Sequence, residues 1–181
     1  MNEVIKNIET RRSVRSYKND PVSKEIIESI CKAGTFDPSA QNKQPSIILA
    51  ITNKDMVARL EKINAKYTNN PDGHPFYGAP VVLVVLANKD HPNYIYDGTC
   101  VMENLLLASA SYGLGSCWIH RARQTFEDEE GQKILKELNI EGNYEGIGNV
   151  ILGYPNTEIP AAKPRKEPYI YYVDERTKRC L

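Results

Sequence analysis

What the sequence lacks narrows its function first. It has no net charge, since 23 lysines and arginines stand against 23 aspartates and glutamates. A nucleic-acid binder needs a broad positive field, so that class is set aside. The longest apolar run, Ala79 to Ala87, is far shorter than the roughly 20 residues that cross a bilayer, so no membrane partner is expected. Cys31, Cys100, Cys117 and Cys180 form no C-x-x-C pair and no compact framework. That usage excludes a disulfide scaffold and a zinc knuckle and suits a reducing cytoplasm. Met1 to Lys6 lack the apolar stretch of a secretory leader, which fits the same cytoplasmic expectation. The three histidines, His74, His91 and His120, have no ligand spacing, so no metal is expected. Phosphate-binding glycine loops are missing too. Gly113-Leu114-Gly115 lacks a third glycine and reads as a helix end feeding a strand, and Gly146-Ile147-Gly148 reads as strand entry.

What is present is an ordinary soluble composition, 41% hydrophobic and 25% charged. The length predicts one domain, residues 1–181, with a real core. Apolar spacing predicts helices over 2–11, from Ser23 to a stop at Gly34, over 55–65, over 97–112 and over 126–138. Strands are expected over 47–52, 80–87, 115–119 and 146–152. The stretches 37–45 and 67–80 are loops, and a Pro-rich tail follows Gly153. Residues 124–145 hold seven anions and two cations, which reads as a solvated helix face.

Against this neutral background two basic clusters stand far apart: Arg11-Arg12-Ser13-Val14-Arg15-Ser16-Tyr17 and Lys163-Pro164-Arg165-Lys166. Cations gathered at two points suit one local anion. A guanidinium donates two parallel hydrogen bonds to a phosphate and a neighbouring hydroxyl adds a third. The chemistry points to a phosphorylated cofactor.

Four blocks in order carry a resemblance over nearly the whole chain. They are Arg11 to Tyr17, then Pro38-Ser39-Ala40-Gln41-Asn42-Lys43-Gln44-Pro45, then Gly113-Leu114-Gly115-Ser116-Cys117-Trp118-Ile119, then Lys163-Pro164-Arg165. Together they resemble the nitroreductase family of FMN-dependent oxidoreductases, in a short form. The resemblance implies an α+β fold: a mixed, mostly antiparallel sheet of four to five strands flanked by helices, with a C-terminal extension reaching the partner subunit. It implies that Arg11, Ser13, Lys163 and Arg165, with Arg12 beside them, hold the FMN phosphate. A phosphate monoester carries about −1.5 to −2 at neutral pH, a match for that donor set. Arg15 is expected at the pyrimidine edge of the flavin, where a fixed cation favours the reduced ring. Trp118, Ile119 and His120 pass the ring through backbone N–H groups, with the His120 side chain incidental and no catalytic side chain required. Ser39, Ala40 and Asn42 come to the flavin from the partner chain of a homodimer. Ala40 stands where the family often has a hydroxyl, so one polar contact is missing. Cys117 reads as a small core filler.

The activity implied is hydride transfer from NADH or NADPH through flavin N5 to a planar acceptor by a ping-pong route. A nitroaromatic, a quinone or a free flavin would serve. The region between the second strand and the long helix is brief for the family, and the loop from Tyr67 to Phe76 is its local substitute. Two other readings use the same blocks: a non-catalytic flavin-binding or regulatory module, and a same-fold enzyme with a specialised flavin or dehydrogenase role.

Overall fold

The computed structural model describes residues 1–173, and Cys180 lies outside them. Its elements, in chain order, are α1 (Glu3–Thr10), α2 (Lys24–Gly34), β1 (Ser46–Ile51), α3 (Lys54–Lys66), β2 (Val81–Asn88), α4 (Tyr94–Ser111), β3 (Gly115–Ile119), α5 (Ala122–Glu127), α6 (Glu129–Glu137) and β4 (Tyr144–Gly153).

The apolar run of β2 makes it an inner strand. The sheet order is β1-β2-β4-β3 and all three ladders are antiparallel. Strand periodicity then sorts the side chains. Val82, Val84 and Leu86 face one layer, built with Leu60 and Ile63 of α3, Phe126 of α5 and Ile134 of α6. Val81, Leu83 and Val85 face the other, with Ile27 and Ile30 of α2 and Met102 and Leu105 of α4. Cys117 is buried in the first layer, as a core filler should be. The one parallel pairing among the described residues is an isolated bridge, Ser13 to Ser116, which lays the segment after α1 beside β3. The expected α+β sheet is therefore four antiparallel strands plus a single-residue parallel contact.

Two local expectations need correction. The helix predicted over 126–138 is two helices, because Asp128 is extended (φ −68°, ψ 145°) and its carboxylate accepts the Glu130 N–H. α2 does end at Gly34, as expected, without a positive φ there. A Cβ there would lie 2.8 Å from Leu105 Cδ2, so the glycine serves close helix packing against α4. Gly146 and Gly148 flank a β-bulge rather than a strand entry, since Val85 pairs Gly148 while Leu86 pairs Gly146. The long helix also starts earlier than expected, at Tyr94, which puts Asp97 inside its first turn and buried. No helix among the described residues is long and apolar enough to cross a membrane.

Candidate functional site

The segment from Arg11 to Lys18 is strapped across the β3–β4 end of the sheet. Arg11 is the C-cap of α1 and its N–H donates to Asn7 O at 3.0 Å. The Val14 N–H donates to Ser116 O at 3.0 Å, and the Lys18 N–H to Tyr154 O at 2.9 Å. The buried Tyr17 hydroxyl donates to Val14 O at 2.6 Å. Burial, with Cys117 adding to it and Arg15 opposing, keeps that phenol protonated far above neutral pH. Gly115 makes the approach possible: a Cβ there would stand 2.8 Å from Val14 Cβ.

The strap runs between two cavities. The first, about 410 Å³, is lined by Arg11, Arg12, Asn7 and Thr10 on one side and by Ile159 to Ala162 of the tail on the other. Arg12 Nη1 turns back to Glu9 O (2.7 Å) and Arg11 O, capping the carbonyl end of α1. Its Nε is buried with no acceptor among the described residues. Lys163 follows Ala162 directly in the chain, but neither it nor Arg165 lines the cavity; both sit in an exposed tail.

The second cavity, about 460 Å³, brings Arg15 together with Trp118, Ile119 and His120. Its other wall is the loop from Thr68 to Tyr77, which supplies Asn70, His74 and Tyr77. The Arg15 guanidinium lies 6.0 Å from the Tyr77 ring centroid, within cation–π range. Glu61 of α3 holds that loop from below, accepting the Phe76 N–H at 2.7 Å with His74 Nδ1 at 3.4 Å. Past β3 the chain turns through Arg121 in the left-handed region (φ 72°), and Arg121 Nε donates to Tyr67 O at 2.6 Å. The side-chain amide of Asn64 donates to His120 O at 2.9 Å, and that of Asn149 to Ile119 O at 3.3 Å. The His120 side chain is exposed.

Ser13 is exposed on the strap between the cavities and lines neither. Ser39, Ala40 and Asn42 are not brought to either cavity. They form a short 3-10 turn with three left-handed residues around it, Gln41 (φ 54°), Asn42 (φ 55°) and Gln44 (φ 48°). Ser39 Oγ accepts the Gln44 N–H at 3.1 Å, and Asp97 Oδ1 accepts the Ala40 N–H at 3.1 Å. Asp37 enters this loop with its carboxyl raised above the usual range, chiefly by burial, with Asp97 adding to it against a backbone hydrogen bond. Among the described residues no group of His, Cys, Asp or Glu could hold a metal ion. Cys31, pushed up to about 11 by burial and then by Glu28, is no thiolate nucleophile at neutral pH.

The sequence reading missed Tyr77, Arg121, Asn64, Asn149 and Asp97. A signal existed for the last three. Each is a polar residue inside an apolar pattern: Asn64 beside Ile63 and one turn from Leu60, Asn149 before Val150-Ile151-Leu152, and Asp97 at the head of the apolar helix. Tyr77 and Arg121 carry no pattern, because positive φ at a non-glycine residue leaves no mark in composition.

Comparison with known proteins gives consistent matches. A family model described as "Nitroreductase family" matches residues 8–154. A protein of Archaeoglobus fulgidus with the provisional name NADH dehydrogenase/NAD(P)H nitroreductase is 35% identical over 164 residues, covering 87% of this chain and 88% of its own. An FMN reductase [NAD(P)H] of Bacillus subtilis is 25% identical over 188 residues, covering 91% of this chain and 70% of its own. A solved nitroreductase of Bacteroides fragilis with bound FMN superposes with a TM-score of 0.87 at 27% identity, covering 96% of this chain and 100% of that one.

Proposed function

The chain belongs to the nitroreductase family, and from that premise we propose that it is an FMN-dependent oxidoreductase that passes hydride from NADH or NADPH to a planar acceptor. One observation carries the reading. A single strap, Arg11 to Arg15, supplies cations to two cavities at once, one suited to a phosphate and the other to a polar ring edge.

The residues present fit the cofactor. Arg11 and Arg12 line one cavity, and the buried Nε of Arg12 lacks an acceptor among the described residues. An unpaired buried donor is costly unless a ligand oxygen satisfies it. Lys163 and Arg165 add charge when the tail closes over this end, and Ser13 adds a hydroxyl. In the second cavity Arg15, Trp118, Ile119 and His120 form one side of a slot whose polar groups suit the pyrimidine edge of a flavin. When bound, the FMN supplies the hydride-carrying chemistry at N5. The protein's own groups bind the phosphate, orient the ring and hold positive charge near its pyrimidine edge. A nitroaromatic, quinone or free flavin is the acceptor, taken after the nicotinamide leaves the same face.

The same reading makes the working unit a homodimer. Ser39, Ala40 and Asn42 lie outside both cavities of their own chain and serve the partner's. Val4, Ile5 and Ile8 leave an apolar stripe of α1 exposed, Phe36 is 75% exposed, and the tail carries exposed Tyr169, Ile170, Tyr171 and Tyr172. Exposed apolar side chains in this number suit an interaction face. The tail from Pro155 reaches over the partner, and residues 1–181 act as one FMN-binding domain.

The test is the visible absorption spectrum of the purified protein before and after anaerobic NADH or NADPH, with Arg11→Ala/Arg165→Ala alongside. A flavin band that bleaches with nicotinamide is expected, together with at least tenfold weaker FMN retention by the double variant. A bound flavin that neither nicotinamide bleaches would turn the reading to a binding module. A protein that takes up no FMN would overturn it.

A further inference from the structure

Asn64 and Glu61 sit three residues apart, hence on one face of α3. Asn64 is fully buried, and Glu61 is mostly covered, with its side chain 18% exposed. Each reaches a different wall of the cavity at Arg15. The β3–β4 ladder ends at Ile119 paired with Asn149, so the next carbonyl, that of His120, has passed beyond the sheet. Asn64 Nδ2 captures it at 2.9 Å and also reaches Thr125 Oγ1 at 3.3 Å. The Thr125 hydroxyl in turn donates to Arg121 O at 2.8 Å. A trans peptide points its N–H opposite to its C=O. With the His120 carbonyl held inward by Asn64, the Arg121 N–H is turned away from the core, and among the described residues it has no acceptor. The same turn is tied to the end of α3 a second time, by Arg121 Nε on Tyr67 O at 2.6 Å.

This arrangement has a cost. Asn64 Oδ1 is buried with no partner among the described residues, and Arg121 holds a left-handed backbone. A buried orphan oxygen and a left-handed arginine both oppose folding. A leucine at 64 would carry no orphan oxygen but would leave the His120 carbonyl without its donor, so what the asparagine specifically supplies is the orientation of the His120–Arg121 peptide.

We propose that Asn64 and Glu61 are the positioning residues of this site. Asn64 orients the His120–Arg121 peptide so that the Arg121 N–H faces the cavity as a ligand donor. Glu61, by accepting the Phe76 N–H, sets the opposite wall at the right separation. One helix face thus fixes both sides of the slot. The inference rests on the reading above that a flavin ring edge occupies this cavity.

The experiment is backbone hydrogen exchange of the full chain with and without FMN, paired with the FMN dissociation constant from flavin fluorescence. In the wild type the Arg121 amide slows about tenfold when FMN is added. In Asn64→Ala that protection is lost and FMN binds about three- to tenfold more weakly, the range of one neutral hydrogen bond. Ile134→Val, a core change remote from the cavity, lowers the melting temperature and leaves FMN affinity alone. Glu61→Ala speeds exchange across 68–77 about tenfold, whereas Glu61→Gln, which keeps an acceptor for Phe76, does not. If wild type binds FMN but the Arg121 amide is unaffected, the inference about Asn64 is overturned while the FMN reading stands; this arm holds even if Asn64→Ala fails to fold. If exchange across 68–77 ignores Glu61→Ala, the part assigned to Glu61 is overturned. If wild type binds no FMN, both fall.

Discussion

Asp128 ends α5 and begins α6, and its carboxylate accepts the Glu130 N–H at 2.9 Å while meeting Lys66 Nζ at 3.1 Å and the Tyr67 hydroxyl at 3.0 Å. Burial pushes its pKa up, but the Glu130 N–H, Lys66 and Tyr67 together outweigh that and hold it below the ordinary aspartate value. A depressed acid stabilises the fold above its unfolded pKa, and that contribution is lost as pH falls through the folded pKa. Asp128→Ala should therefore lose about 1 kcal/mol of stability near neutral pH, the worth of an N-cap. Asp128→Asn should keep most of it. Urea melts at a series of pH values check this: the gap between wild type and the alanine variant should close as pH drops below the aspartate range. This residue was legible only as one of a run of acids. The acidic stretch read as a solvated face is in part an answered one, since Arg59 of α3 donates to Glu137 at 2.6 and 3.0 Å and to Glu130 at 3.3 Å. The basic residues of the strap stood out in the sequence because phosphate chemistry restricts the residue types that suffice, and the structure gathers Arg11 and Arg12 at one cavity and Arg15 at the other. Arg12 was legible in place but not in posture, since nothing in sequence says that its guanidinium first caps its own helix.

Among the elements, the strands and the apolar faces of the helices could be read from periodicity, because burial imposes it. Irregular backbone could not. The break at Asp128 lies within an unbroken helical pattern, and the turn at 39–44 places three non-glycine residues in the left-handed region. Such a turn persists only where its surroundings over-determine it. Here the surroundings are Ser39, whose Oγ accepts the Gln44 N–H across the turn, and Asp97, whose Oδ1 accepts the Ala40 N–H from α4. Asp97→Ala should loosen this turn without unfolding the sheet, whereas Asp97→Asn should retain the acceptor. The amides of 40–44 should exchange about tenfold faster in the alanine variant, and equal exchange would mean that the turn holds itself.

For the whole molecule, three of the four sequence blocks fall into two groups, and the fourth, Lys163 to Arg165, lines neither cavity. The strap and the turn after β3 meet within one chain, and the block at 39–42 stays apart. The sequence order of the blocks could suggest a common ligand but not which chain supplies each. The apolar stripe of α1 bears on that point. Ile8→Glu should convert the proposed dimer to monomer and weaken FMN retention in the same step, as followed by sedimentation and flavin fluorescence. A variant that stays dimeric, or a wild type that sediments as a monomer, would remove α1 from the interface. The strap has one further consequence. Arg11 and Arg15 are four residues apart, so their Cα atoms stand no more than about 14 Å from one another however the chain is drawn out. The strap is a ruler, and the glycine at 115 is the notch that seats it. On the proposed assignment a cofactor must match its length to touch both ends, so a flavin shortened by its phosphate would leave one end of the scale unread.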